Sequence, residues 1–216
     1  MALTLEQAET TQNKAEGYTT SPDGSRGKVT FEEYLAMGDE AYEWIDGEVP
    51  TMAPASYFHE NEFRWLLTVL GLYAQKNNLG KVLGSRFAMR LDALRRGREP
   101  DILFVLSENV SKIKETYLDG GADMVIEIVS PESFGRDRGE KFLEYETAKI
   151  SEYWLIDVER KQAEFYFLDE NGRYQPAKID VQGRFRSLIV KDFRLKVEWL
   201  WTLPNELEVL KQLKVI

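Results

Sequence analysis

Between Met124 and Val129 the chain sets a single carboxylate inside an otherwise unbroken apolar run, Met124-Val125-Ile126-Glu127-Ile128-Val129. Gly120-Gly121 and Ser130-Pro131 bound it, so the run reads as a strand buried on both faces. An isolated charge in such a place is costly unless something compensates it. Alternation puts Met124, Ile126 and Ile128 on one face and Val125, Glu127 and Val129 on the other. A second apolar strand, Asp101-Ile102-Leu103-Phe104-Val105-Leu106, is opened by Pro100 and carries an acid at its mouth. Two carboxylates at the rim of one sheet can share a divalent cation, with the Ile128 carbonyl as a further oxygen ligand. Downstream, Asp137, Lys141 and Tyr145 recur at i, i+4 and i+8, one stripe of a helix. If that helix covers the Glu127 face, Lys141 reaches the carboxylates and Tyr145 can hydrogen-bond beside it.

The rest of the chain is organised around this stretch. Residues 1–27 are rich in Thr, Gln, Gly and Ser without apolar periodicity, and read as a mobile arm. Residues 28–216 are expected to form one domain. Thr30-Phe31-Glu32-Glu33 has the form of a capping box, predicting a short helix to about Met37. Tyr42 to Val49 alternates around Asp46-Gly47, a hairpin signal, with Glu43 and Glu48 as its polar positions. From about Tyr57 to Lys76, Phe63, Leu66, Leu67, Leu70 and Tyr73 recur at helical spacing, with His59 near the start. Short strands are expected near 81–83 and 87–91, then an Arg-rich loop over 95–98. A helical turn is expected near 111–117. Residues 137–149 read as one helix with Phe142, Leu143, Tyr145 and Ala148 inward. Glu152–Asp157 reads as a strand, 163–178 as a hairpin through Asp169-Glu170-Asn171-Gly172, and a last strand near 194–197 precedes a helix after Pro204. Strands and helices mix without strict βαβ alternation. The expected class is α/β, a mixed central β-sheet flanked by helices, with an N-terminal hairpin and a C-terminal hairpin extension.

Composition narrows the function classes. There is no cysteine, which excludes disulfides, thiol catalysis and zinc–thiolate sites. No apolar run approaches the roughly 18 residues of a membrane helix, and the N-terminus lacks the pattern of a secretory signal. The expected address is cytoplasmic, with no membrane partner. The net charge of −9 opposes non-specific binding to phosphate backbones. Net charge is not local charge, however: Arg86, Arg90, Arg95, Arg96 and Arg98 precede Asp101, and Arg136, Arg138 and Lys141 follow Glu127. A basic rim within an acidic body is therefore one expectation.

Phosphodiester hydrolysis needs an activated water and neutralisation of charge growing on phosphorus. A Mg2+ held by two carboxylates supplies both, and a lysine can position the water and stabilise the developing charge. Asp101 and Glu127 are the candidate metal ligands, Lys141 the candidate catalytic amine, and Tyr145 and His59 the supporting groups.

Taken together, Pro100-Asp101, Glu127-Ile128-Val129-Ser130-Pro131, Arg136-Asp137, Lys141, Tyr145 and Glu152-Tyr153-Trp154 resemble the Uma-type putative restriction endonucleases of the PD-(D/E)XK superfamily. Tyr42-Glu43, Ile45-Asp46-Gly47-Glu48 and His59 agree with that resemblance, which covers about residues 28–200. It implies a restriction endonuclease-like core, Mg2+ (or Mn2+) dependence, DNA as partner and a homodimer with two sites. Where the superfamily usually has a lysine two residues after the acid, this chain has Val129; the resemblance implies that the lysine has migrated to Lys141. Two alternatives stay open: a catalytically inactive nucleic-acid-binding or structural protein with this fold, and a metal-dependent hydrolase of small phosphoesters.

Overall fold

The computed structural model describes residues 28–37, 43–50, 55–84, 86–129 and 133–216. The N-terminal arm, Tyr42 and the Ser130-Pro131 stop lie outside them.

The Glu127 strand, β7 (Met124–Ile128), is the centre of the fold, and every residue in it is buried. It pairs antiparallel with β5 (Ile102–Leu106) and parallel with β8 (Glu152–Asp157), so Ile126 faces Ile102 on one side and Trp154 on the other. β5 continues to β2 (Gly80–Gly84), and β8 continues to β9 (Gln162–Leu168) and β10 (Tyr174–Pro176). The result is a six-stranded mixed sheet in the order β10-β9-β8-β7-β5-β2. The C-terminal hairpin thus widens the central sheet. A strand hydrogen-bonded on both sides and packed on both faces must be apolar nearly throughout, which is why Glu127 stands out.

Side-chain alternation sorts two cores. Met124, Ile126 and Ile128 pack with Ile102, Phe104 and Trp154 under the long helix α2 (Tyr57–Lys76). Val125 and Val129 pack on the opposite face with Leu103, Tyr145, Tyr153 and Leu155. α2 presents Trp65, Leu66, Val69, Leu70, Tyr73 and Ala74 to the first core, a wide apolar stripe at helical spacing. Its N-terminus is capped by Ser56, whose Oγ accepts the His59 N–H at 3.2 Å. This cap fixes the rotation of the first turn and hence where His59 points. Gly84 ends β2 where a Cβ would come 2.7 Å from the Asp101 carbonyl oxygen, so a larger residue there would displace the start of the Asp101 strand.

A smaller sheet, β1 (Trp44–Ile45), β4 (Arg96–Arg98), β3 (Ala88–Leu91) and β6 (Tyr117–Asp119) in that order, lies on the Glu127 side. Asp46 and Gly47 have positive φ and close a two-residue turn in which Ile45 and Glu48 exchange both backbone bonds at 2.9 Å. Thr30 and Glu33 form the reciprocal capping box ahead of α1 (Phe31–Leu35). At the C-terminus, β11 (Arg184–Arg186) pairs with β12 (Arg194–Lys196), and two short helices, α5 (Trp199–Thr202) and α6 (Glu206–Gln212), complete the first core.

Four expectations are corrected. The Arg-rich segment is a strand, β4, because it is sandwiched between β1 and β3. Residues 137–149 are not one helix: α3 (Phe134–Arg138) and α4 (Glu140–Thr147) break at Gly139, whose ψ of −83° leaves the helical region. Leu143 is 60% exposed, because the inward stripe is taken by Lys141, Glu144 and Tyr145. The turn after β5 is a 3-10 segment at Ser107–Lys112, and Tyr117 opens a strand instead.

Candidate active site

The β5–β7 register, carried one step beyond Ile102 and Ile126, sets Asp101 opposite Glu127 at the rim of the central sheet. Directly opposed residues of an antiparallel pair have Cβ atoms roughly 5 Å apart. Asp101 is held by two donors: its Oδ2 accepts the Ile128 N–H at 2.6 Å, and its Oδ1 lies 3.1 Å from His59 Nε2. His59 therefore reaches the rim from the first turn of α2. Burial disfavours its charged form, yet the hydrogen bond and charge of Asp101 outweigh burial and raise its pKa.

Glu127 points to the face of the second core, away from α2, and meets α4. Its Oε1 accepts the Tyr145 hydroxyl at 2.6 Å and lies 3.0 Å from Lys141 Nζ. Burial pushes the Glu127 carboxyl up to about 8; Lys141 acts against that shift, while Asp137 and Asp101 add repulsion. Lys141 is itself buried, and its ammonium lies 3.3 Å from Asp137 Oδ1 and 3.3 Å from Glu43 Oε1. Burial disfavours the ammonium, but three facing carboxylates hold its pKa above the ordinary value. The stripe Asp137, Lys141, Tyr145 survives the break at Gly139, and all three face Glu127. Tyr153 seals the floor: its hydroxyl donates to the Asp137 carbonyl at 3.1 Å and its ring meets Tyr145 edge-on at 5.2 Å. The structure thus brings Asp101, Glu127, Ile128, Lys141, Tyr145 and His59 to one end of the sheet.

Two members were not legible as such. Glu43, expected as a polar hairpin position, is fully buried, and its Oε2 lies 2.7 Å from Arg98 Nη1. Arg98, expected in a basic rim, is fully buried and spends its guanidinium on Glu43, Glu140 and Glu144. Arg96 pairs with Glu144, Arg90 with Asp92 and Arg95 with Asp46. Arg138 pairs with Glu164. The arginines before Asp101 are therefore largely neutralised within the molecule, which corrects the expectation of a basic rim there. A signal for Glu43 and Arg98 exists only in three dimensions, since their partners lie far away along the chain.

Glu62, one turn after His59 on α2, is a second acid in an apolar place. It is fully buried, neither oxygen has a hydrogen-bond partner, and burial pushes its pKa up to about 8. Unfolded, it ionises near 4.5. Between those values the unfolded chain releases a proton that the folded chain keeps, so stability falls as pH rises from about 4.5 to 8 and levels above, by roughly 1.4 kcal/mol per unit at most. Glu127 adds a slope of the same sign. Glu62→Gln is expected to flatten Glu62's share and raise stability at pH 8.5 by about 2–4 kcal/mol. Urea unfolding at pH 5 and 8.5 checks this, and an unchanged pH dependence would contradict it.

Glu152 shows the contrast. It is equally buried, but its oxygens accept from the Trp154 indole and Ser187 hydroxyl and from the Leu188 and Ile189 N–H groups at 2.6–3.0 Å. Glu152 is a fully bonded latch for the 187–190 loop, and needs no ion.

Comparison with known proteins bears on the fold and on the family. The crystal structure of a putative nuclease belonging to DUF820 from Anabaena variabilis is similar, with a TM-score of 0.66 and 14% sequence identity, over 81% of this chain and 98% of that chain. That likeness is one of fold. Comparison with curated proteins gave no match. The family model described as Uma2, putative restriction endonuclease, matches residues 31–198. With the match spanning the small sheet, the central sheet and every residue of the rim cluster, the chain belongs to the Uma2 family of putative restriction endonucleases.

Proposed function

We propose that this chain is a Mg2+-dependent endonuclease (Mn2+ serving as well) that hydrolyses DNA phosphodiester bonds at the Asp101–Glu127 rim. The family supports nuclease chemistry in general. The observation that carries the finer reading is Glu127: a carboxylate buried at the sheet rim, bonded by both Lys141 and Tyr145, with Asp101 across the ladder. Burial is the main cause of the raised Glu127 pKa, and the neighbouring Asp137 and Asp101 carboxylates add to it against the Lys141 ammonium. Two carboxylates at one rim, Asp101 and Glu127, suit a shared divalent cation.

Among the described residues no group of three or more His, Cys, Asp and Glu is arranged to hold an ion. The donor set proposed is Asp101, Glu127, the Ile128 carbonyl and water, which suits Mg2+, an ion that keeps several waters. When bound, the ion acidifies a water and acts as a Lewis acid toward the phosphate. The chain's own residues do the remainder. His59 and the Ile128 N–H fix the Asp101 carboxylate from two directions. Tyr145 orients Glu127. Lys141 positions the attacking water and stabilises the charge developing on phosphate. The tyrosine-lined floor excludes bulk water and so strengthens these interactions.

In this reading the protein works in the cytoplasm as a homodimer, which supplies one site for each strand. No helix among the described residues is long and apolar enough to cross a membrane. The purified protein is expected to cut DNA with Mg2+ or Mn2+ and to stop when EDTA is added; gel analysis of a plasmid shows either outcome. Cutting that is indifferent to EDTA would refute the metal-dependent reading. A second reading, a nucleic-acid-binding or structural protein of this fold without catalysis, is favoured by Val129 at the usual lysine position. DNA binding in Mg2+ without cutting would select it.

A further inference from the structure

We infer that Glu43, supplied by the segment before β1, is a positioning residue that holds the Lys141 ammonium from the side opposite Glu127. The inference rests on the reading of Asp101 and Glu127 as ion ligands and adds to it a residue from a distant part of the chain.

Three carboxylates surround Lys141 Nζ: Glu127 at 3.0 Å, and Glu43 and Asp137 at 3.3 Å each. Asp137 lies at the end of the short helix α3 just before the lysine's helix, four residues from Lys141 along the chain. Glu43 comes from the segment before β1 and is held by Arg98 Nη1 at 2.7 Å, while Arg98 Nε is fixed by Glu144 at 2.7 Å and Nη2 by Glu140 at 2.6 Å. Those two acids belong to α4 and tie the Glu43 carboxylate to the helix carrying Lys141. With all three nitrogens engaged and no solvent exposure, Arg98 has no alternative geometry open to it. Glu43 is thus a fixed anion. Burial opposes its charge, but Lys141 and Arg98 outweigh burial and keep its pKa below the usual carboxylate range.

The consequence concerns competition for Glu127. An ammonium 3.0 Å from Glu127 Oε1 contends with any cation for that oxygen. A fixed anion on the far side of the ammonium draws it back and lowers that contention. Glu43 Oε1 is buried and makes no hydrogen bond, although the Lys141 ammonium lies 3.3 Å away. It is an acceptor with unused capacity, ready to take Lys141 when Glu127 turns to an ion. The rival explanation is that Glu43 and Arg98 merely tie β1 to β4.

The test is calorimetric titration of Mn2+ into the full chain and its variants, which reads ion affinity without reference to cutting. Glu43→Gln is isosteric and is expected to weaken Mn2+ binding by about tenfold, because Lys141 then keeps only Asp137 and Glu127 and presses harder on Glu127. In a Lys141→Met background the same substitution is expected to cost about threefold or less, the loss of a distant charge alone. Equal losses in both backgrounds, or no loss in either, would overturn the inference. Glu43→Asp, which keeps the charge but withdraws it from the lysine, serves if Glu43→Gln does not fold; it is expected to weaken binding measurably, and unchanged affinity would overturn the inference too. A wild-type protein that takes up no Mn2+ would overturn the ion-binding reading itself, whereas wild-type uptake with an unaltered Glu43→Gln isotherm removes only the role assigned to Glu43.

Discussion

Lys141→Met is expected to lower the rate of DNA cutting by about 10²–10⁴-fold, the range for losing a positioned proton-handling or charge-stabilising group. Methionine preserves the length and much of the volume of lysine, so the helix stripe stays packed while the charge disappears. The variant also removes the cation that faces Glu43, Glu127 and Asp137. Leaving buried carboxylates without their partner costs up to about 3–5 kcal/mol. Part of that is relieved by protonation, since Glu127 already has a pKa near 8. The variant is therefore expected to be less stable at pH 8.5 than at pH 6 relative to wild type. Single-turnover cutting at a temperature where both proteins are folded separates the two effects; a variant that cuts at the wild-type rate would remove Lys141 from the chemistry.

Arg98→Met is expected to produce the largest loss of stability of any single substitution in the cluster. Arg98 is the hydrogen-bond partner of Glu43 Oε2 among the described residues, and it shares Glu144 with Arg96. Both acids are buried. Removing one side of a buried pair costs about 3–5 kcal/mol, because the other charge is left without compensation. For a chain of this length that corresponds to a drop of roughly 6–20 °C in Tm. Arg98→Lys is expected to recover little, since an ammonium lacks the planar fork that reaches three carboxylates at once. Thermal melts of the two variants check this. A double variant, Arg98→Met with Glu43→Gln, is expected to be more stable than Arg98→Met alone, since it removes a stranded charge. Simple additivity of the two losses would contradict the pairing.

What was legible in the sequence follows the range of the forces involved. The capping box at Thr30, the Asp46-Gly47 turn and the apolar spacing of α2 are written in neighbouring residues, and each appears where its pattern puts it. The alternation in Met124–Val129 reads off which residues face which core, because a strand has a period of two. The i, i+4, i+8 stripe likewise places Lys141 and Tyr145 beside Glu127. The buried network was not legible. Arg96-Gly97-Arg98 has the composition of a surface loop, and only pairing with β1 and β3 turns it into a strand with a guanidinium inside. Glu43 looks like any exposed hairpin acid until the fold supplies Arg98 and Lys141. Leu143 misleads for the converse reason: an apolar residue on α4 is left outside because charged residues hold the inner stripe.

The account turns on whether Asp101 and Glu127, brought together by the β5–β7 register, take up a divalent cation. The direct measurement is a calorimetric titration of Mg2+ into the wild-type chain and into Glu127→Ala at pH 8. The account predicts saturable binding by the wild type that is lost in Glu127→Ala. Equal binding by both proteins, or none by the wild type, would contradict it.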